Sequence, residues 1–437
     1  MATTSRTDAR IEQFDGFRVV EIAGAPYARG RQHGVALRPE IRELRDRLHR
    51  DIIFRRGRAM GAGFSGVLYA VLSRMHPFIP RELRTEMRGV ADGAGIPYRD
   101  VLLFNCFDDV LHALGQLNPL IAPILQHRFV AQLIERTNGL GRAGMLGRFA
   151  CSSFILTGDK SATGGPIHGR NLDYAIHDDF IDPDNVVPRT LRETLTVFVV
   201  HPERGEPFVA VGWPGFVGLV TALNGAGLSL ACMTSTVPRE TPNGTPLLLL
   251  YRLIAQYARS LDECEWLLRG AKRTIGNNLS VASASECDGR LFEFTPRRFA
   301  AIRPCNGLVR ATNHFQHPWL AEEQVGWVVP SSESRVRRLG ELFGDAPYGA
   351  ADGPFGVEEA RSALVDTCRI DGAESDWDCL QNPGTIYGTV AEPARLALSV
   401  RAHDRRDRDW VELDLADTLR LGDTRRDAPD PTSVGGA

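Results

Sequence analysis

Lysine is almost missing from this 437-residue sequence: Lys160 and Lys272 are the only two, so arginine supplies nearly all of the 51 basic residues. Those arginines are interleaved with 54 acidic residues and form no basic block, which argues against a nucleic-acid-binding surface. The eight cysteines (106, 151, 232, 264, 287, 305, 368 and 379) include no CxxC pair, so neither a zinc cluster nor a disulfide framework is expected. Most of them read as small core residues. The opening stretch MATTSRTDARIEQFDG lacks the apolar segment of a secretory signal, and a cytoplasmic location is the default expectation. No membrane span is expected either. The longest uncharged run, Val211 to Met233, is broken by Pro214, Asn224 and five glycines and reads as a buried strand pair. What remains, 43% hydrophobic and 24% charged residues with a formal net charge of -3, describes a globular chain of one large domain or two intimate halves.

Two patterns divide the chain near residue 150. From about Arg38 to Asn138, runs such as RPEIRELRDRLHRDIIF, PRELRTEMRGVADGAG and LIAPILQHRFVAQLIERTN carry apolar residues at helical spacing. Residues 1–150 are therefore expected to form a mostly helical N-terminal segment. From Cys151 the period changes to short β-rich runs, including CSSFILTG, TLTVFVVH, FVGLVTALNGAGLSLACM and NNLSVASA, with Asn224-Gly225 as a hairpin signal. Helical spacing returns at PLLLLYRLIAQYARSLDECEWLLRG and SSESRVRRLGELF, and a last strand pair, GTIYGTVAEPARLALSV, precedes a polar tail expected to be disordered from about residue 420. The expected architecture for 151–437 is a layered α+β sandwich.

Three motifs are set aside on context. Gly139 to Gly144 fits GxGxxG, but a helical pattern precedes it where a dinucleotide site needs a strand, so it reads as a connector. His314 and His317 lack the further ligands of a metal site and read as structural. Cys151 lacks the local signature of a papain-like cysteine. Cys151 nevertheless opens a β-strand, and Arg170 and Asp173 at the end of the next strand put a cation and a carboxylate beside it. If the Ala150–Cys151 peptide breaks, the freed α-amine, with an unperturbed pKa of about 7.7 to 8.0, can take the thiol proton itself.

CSSF followed by GRNLDY resembles the nucleophile and next strand of the acyl-coenzyme A:6-aminopenicillanate acyltransferase family of cysteine N-terminal-nucleophile enzymes. The resemblance runs through Gly24 to Gly34, Glu86 to Gly95, Leu102 to Asn105, Leu223 to Leu228, Asn278 to Ala282, Phe292 to Pro296 and Thr312 to Phe315, covering about Gly24 to Val400. Ser283 stands where members commonly have aspartate.

The resemblance implies a four-layer αββα sandwich of the N-terminal-nucleophile type, with 1–150 as a helical pro-region that stays bound as an alpha chain after self-cleavage between Ala150 and Cys151. It implies Cys151 as nucleophile, Arg170 and Asp173 as orienting residues, Asn278 as oxyanion donor and Asn224 as a second donor. Asn277 and Asn278 face opposite ways on a strand, and the resemblance favours Asn278. The expected substrate is a small acyl amide or acyl-coenzyme A, whose acyl group passes through Cys151 to water or an amine. No metal or bound redox cofactor is called for; coenzyme A thioesters enter only as acyl donors. The rival is an uncleaved, non-catalytic binding relative of the same fold.

Overall fold

The computed structural model describes residues 9–55, 57–113, 151–174, 184, 186–324, 330–344, 353–369, 376–403 and 408–420. The connector at 139–144, residue Ala150 and the tail beyond 420 lie outside these, as does the helical run expected near 120–138.

Two antiparallel-rich sheets form the centre. The larger has nine strands in the order β1-β2-β5-β6-β7-β8-β9-β10-β11. Its first pair, β1 (Arg10–Phe14) and β2 (Phe17–Gly24), is followed by β5 (Thr196–Pro202), β6 (Phe208–Gly212), β7 (Thr221–Asn224), β8 (Leu228–Thr234), β9 (Asn277–Ser283), β10 (Asp288–Phe294) and β11 (Phe299–Ile302). The smaller sheet runs β12-β3-β4-β13-β14-β15. It is built from β3 (Ser152–Leu156), β4 (Ile167–Asp173), β12 (Leu308–Ala311), β13 (Thr385–Glu392), β14 (Ala397–Ala402) and β15 (Val411–Asp414). The uncharged run 211–233 becomes the β7–β8 hairpin with its flanks; Asn224 accepts the Gly227 N–H at 2.9 Å, and Gly227 takes the left-handed φ of 76° that the turn requires.

The sheets meet face to face through β3 and β12 against β8, β9 and β10. Helices cover the outer faces. On the nine-stranded side these are α1 (Pro26–Ala36), α7 (Leu247–Tyr257) and α8 (Leu261–Gly270); on the six-stranded side they are α9 (Pro330–Phe343) and α10 (Val357–Leu364). The fold is thus the expected αββα sandwich. Further described helices include α2 (Arg38–Arg47), α3 (Arg58–Met75), α4 (Arg81–Ala94), α5 (Tyr98–Asn105) and α6 (Val186–Glu193).

The N-terminal segment, expected to be mostly helical, opens with two strands. Residues 10–24 are strands, and β2 pairs with β5 in parallel, Arg18 opposite Thr196 through Gly24 opposite Pro202. The segment before Cys151 therefore shares a sheet and a hydrophobic core with the segment after it, which supports an expectation that the two halves stay together if the chain is cut. The glycines of its helices serve close packing. A Cβ on Gly30 would lie 1.9 Å from the Glu86 carbonyl oxygen, and one on Gly89 would lie 2.3 Å from that of Tyr27. α1 and α4 thus touch backbone to backbone, and Arg29 donates to the buried Glu86 at 2.6 Å within that contact.

Candidate active site

The site begins with strand register. β3 and β4 are antiparallel with Ser153 opposite Arg170 and Ser152 opposite Asn171, so Cys151, the residue that leads into β3, comes level with the end of β4. Side chains alternate along a strand. Ser153 and Arg170 face the other sheet, where Ser153 meets Ser280 of β9 at 2.8 Å. Cys151 has the same parity. Asp173 has the opposite parity, so its carboxylate turns toward the helical side although its backbone adjoins the thiol.

The Cys151 side chain is buried, 4% exposed, and Arg170 Nη2 donates to its Sγ at 3.6 Å while Sγ donates to the Asp173 carbonyl oxygen at 3.6 Å. Arg170 is itself fixed by Val220 O at 2.9 Å, Cys232 O at 3.2 Å and the Thr221 hydroxyl, and lies over the Tyr387 ring. Burial pushes the Cys151 thiol up from its ordinary value, and Arg170 offsets only part of that. The thiol is therefore protonated at neutral pH.

Asp173 is held at both oxygens, by Asn382 Nδ2 at 2.7 Å and Thr385 Oγ1 at 2.7 Å. Burial raises its carboxyl to about 6, against the opposing pull of Arg335 and these two donors. Arg335, on the buried face of α9, donates to the Cys151 carbonyl oxygen at 2.6 Å, to Ser152 Oγ at 2.8 Å and to Asn313 Oδ1 at 3.3 Å. The Cys151 backbone thus lies in a pocket containing Asp173 and Arg335, while its thiol meets Arg170 on the opposite face of the sheet.

The two asparagines expected as oxyanion donors are placed otherwise. Asn224 closes the β7–β8 turn: its amide donates to Ala255 O at 3.0 Å and Ala258 O at 2.8 Å, and its oxygen accepts from Leu228 N. Both donor hydrogens are spent on α7. Asn278 does face the other sheet, but its amide donates to Thr312 O at 2.9 Å and His314 O at 2.8 Å. It brackets the loop that carries Asn313 and has no hydrogen left for an oxyanion. Asn277 faces away and accepts from Tyr251 Oη at 2.6 Å. Asn313, in contrast, uses one amide hydrogen on Thr234 O at 2.9 Å, leaving the second, beside the arginine that binds Cys151. His314 is structural, bonded to Ser332 Oγ at 2.8 Å, and no group of three or more potential metal-ligating side chains occurs among the described residues.

Cys151 lines a cleft whose walls are mainly apolar, with Leu48, Phe104, Phe107, Trp213 and Phe216 among them. Leu48 and Phe104 precede residue 150 and Trp213 follows it, so both halves of the chain shape the cleft. Among the described residues no helix is long and apolar enough to cross a membrane.

An αββα sandwich with a cysteine at the head of an inner strand defines the N-terminal-nucleophile type of fold. The family model described as acyl-coenzyme A:6-aminopenicillanic acid acyl-transferase matches residues 165–402, more than half of the sequence, and the chain belongs to that family. The matched region contains Arg170, Asp173, Asn313 and Arg335 and begins after Cys151. Curated relatives include an uncharacterised protein of Archaeoglobus fulgidus, 25% identical over 374 residues, and protein dcd1A of Dictyostelium discoideum, 23% identical over 291. These alignments take in 79% and 61% of this chain and 57% and 55% of the relatives, so the chain spans little more than half their length. Among solved structures it is similar to a Caenorhabditis elegans ortholog of N-acylethanolamine-hydrolyzing acid amidase and to penicillin V acylase from Agrobacterium tumefaciens. Each is 14% identical with a TM-score of 0.38, over 62% of this chain and 98% and 88% of theirs.

Proposed function

We propose that the chain is a self-processing cysteine amidohydrolase or acyltransferase. Cleavage between Ala150 and Cys151 frees the Cys151 amine, which takes the thiol proton; the thiolate adds to the carbonyl of an N-acyl amide or acyl thioester, and the resulting acyl-enzyme passes to water or an amine. The observation that carries this reading is the Cys151 thiol, 3.6 Å from the Arg170 guanidinium, in the wall of an apolar cleft. Arg170 favours the thiolate, Asp173 holds the new ammonium, and Arg335 fixes the Cys151 carbonyl. Maturation and turnover use the same thiol: attack on Ala150 gives a thioester opened by water, and attack on substrate gives the acyl-enzyme. The cleft suits an apolar acyl group.

Asn313 takes the oxyanion role in place of Asn278. Asn313→Ala is expected to lower kcat about 10²- to 10³-fold with a smaller effect on KM. Asn278→Ala releases the 312–314 loop and is expected to lower thermal stability along with a milder loss of kcat. A comparison of kcat and melting temperature for the two purified variants decides it; normal kcat in Asn313→Ala would remove that assignment.

The reading as a whole is tested by trapping the intermediate. Acid quench of the enzyme during turnover of an N-decanoyl amide should add the acyl mass to the fragment that begins at Cys151. Turnover without an adduct there, or an adduct on another residue, would contradict it. An added amine that diverts the acyl group from water marks a transferase.

A further inference from the structure

Building on that function, the geometry points to Asp108 as the residue that selects the amine side of the substrate, its carboxylate receiving an ammonium group on the leaving or accepting amine. Four charged side chains line the cleft among the described residues: Arg47, Asp108, Arg170 and Asp173. Three are already engaged. Arg47 donates to Glu193 at 2.6 Å, Glu43 at 2.5 Å and Thr190 at 2.9 Å. Arg170 and Asp173 are engaged as described above. Asp108 has no hydrogen-bond donor or ion-pair partner among the described residues.

Its neighbour sharpens the contrast. Asp109, one residue on and turned the other way, accepts from Leu247 N at both oxygens and from the Thr274 hydroxyl. His112, whose charge pulls the Asp108 carboxyl partly back down, is itself bonded to Glu240 at 2.8 Å. Half-buried in a cleft wall that Phe104 and Phe107 also line, and without a protein donor among the described residues, the Asp108 carboxylate is costly to ionise, and desolvation raises it to about 6. An aliphatic ammonium, charged at neutral pH, offsets that cost by pairing with it where water is scarce; a hydroxyl or alkyl group in the same place does not. Among the described residues the cleft thus offers apolar walls for the acyl chain and one carboxylate without a hydrogen-bond donor for the amine.

The test compares two N-decanoyl amides matched in length, one of ethylenediamine, which leaves as a cation, and one of propylamine. In the wild-type chain kcat/KM should favour the cationic amide, and Asp108→Asn should lower that ratio by about 10- to 100-fold, the range for a hydrogen bond to a charged group. An unchanged ratio in folded Asp108→Asn would overturn the proposal, as would a wild-type enzyme that prefers the neutral amide. A binding measurement removes dependence on turnover: Cys151→Ala should bind n-decylammonium more tightly than n-decanol by calorimetry, and Cys151→Ala/Asp108→Asn should lose that preference. Equal affinity for the two ligands in Cys151→Ala would also overturn it. Acylation of the wild-type enzyme by p-nitrophenyl decanoate, which carries no amine, isolates the parent reading. If Cys151 is acylated, failure of the amine comparison falls on Asp108 alone; if no cysteine adduct forms with ester or amide, the catalytic reading fails and the Asp108 role fails with it.

Discussion

Cys151→Ala is expected to remain a single chain and to lose turnover by roughly 10⁴- to 10⁶-fold, the scale on which a nucleophile's removal is felt. Alanine fits the same buried space, so the fold should persist and the loss should be chemical. Cys151→Ser keeps a hydroxyl in place of the thiol, a weaker nucleophile at neutral pH, and should cleave slowly if at all. The other seven cysteines provide the control. Cys264, for example, is a fully buried residue of α8 with its thiol pushed above the ordinary range by burial, and its alanine variant should keep the chemistry. Mass spectrometry and a steady-state assay on the purified variants read both effects. Residual wild-type turnover in Cys151→Ala would move the nucleophile elsewhere.

Asp173→Asn is expected to have the next largest effect, on processing and turnover together. The carboxylate accepts from both Asn382 and Thr385 and faces Arg335. An amide there removes the negative charge opposite a fully buried guanidinium and turns one acceptor into a donor that meets another donor. Leaving a buried charge unbalanced commonly costs about 3 to 5 kcal/mol, so part of the effect should appear as a lower melting temperature. The rest should appear as slow maturation and a kcat reduced by about 10²-fold or more, because the Cys151 ammonium loses its counter-charge. Asn382→Ala separates the two components: it withdraws one support from the carboxylate without changing charge, and should slow turnover less than Asp173→Asn does. Equal processing rates in wild type and Asp173→Asn would contradict the orienting role.

The juxtaposition of Cys151, Arg170 and Asp173 is legible in the sequence because local register alone brings them together. A strand opened by cysteine and an antiparallel neighbour fix their relation without reference to the remaining chain. Even so, alternation along β4 puts the Arg170 side chain and the Asp173 carboxylate on opposite faces, a distinction that adjacency does not reveal. Asn313 and Arg335 were not identified, since a loop after β12 and a helix some twenty residues later reach Cys151 only through tertiary packing. Arg335 is further masked by Arg337 and Arg338 beside it. A signal existed in the spacing: Ser331, Arg335 and Leu339 recur at four-residue intervals and are buried together, while Arg337 is turned outward. The proposed shift of the oxyanion role from Asn278 to Asn313 has a related reason. An asparagine at the head of an inner strand suits an oxyanion donor and a loop clasp equally well, and only its bonds to Thr312 and His314 tell them apart. The β1–β2 hairpin also had a signal, Asp15-Gly16 between alternating runs, with Gly16 at a φ of 89°.

The central claim is that Cys151 acts as a new N-terminus, and intact-mass analysis of the purified chain with sequencing of its fragments tests it most directly. The account predicts two co-purifying pieces, residues 1–150 and a second piece whose first residue is Cys151, appearing without added protease and absent in Cys151→Ala. A single 48.1 kDa chain with full activity toward an N-acyl amide would contradict it.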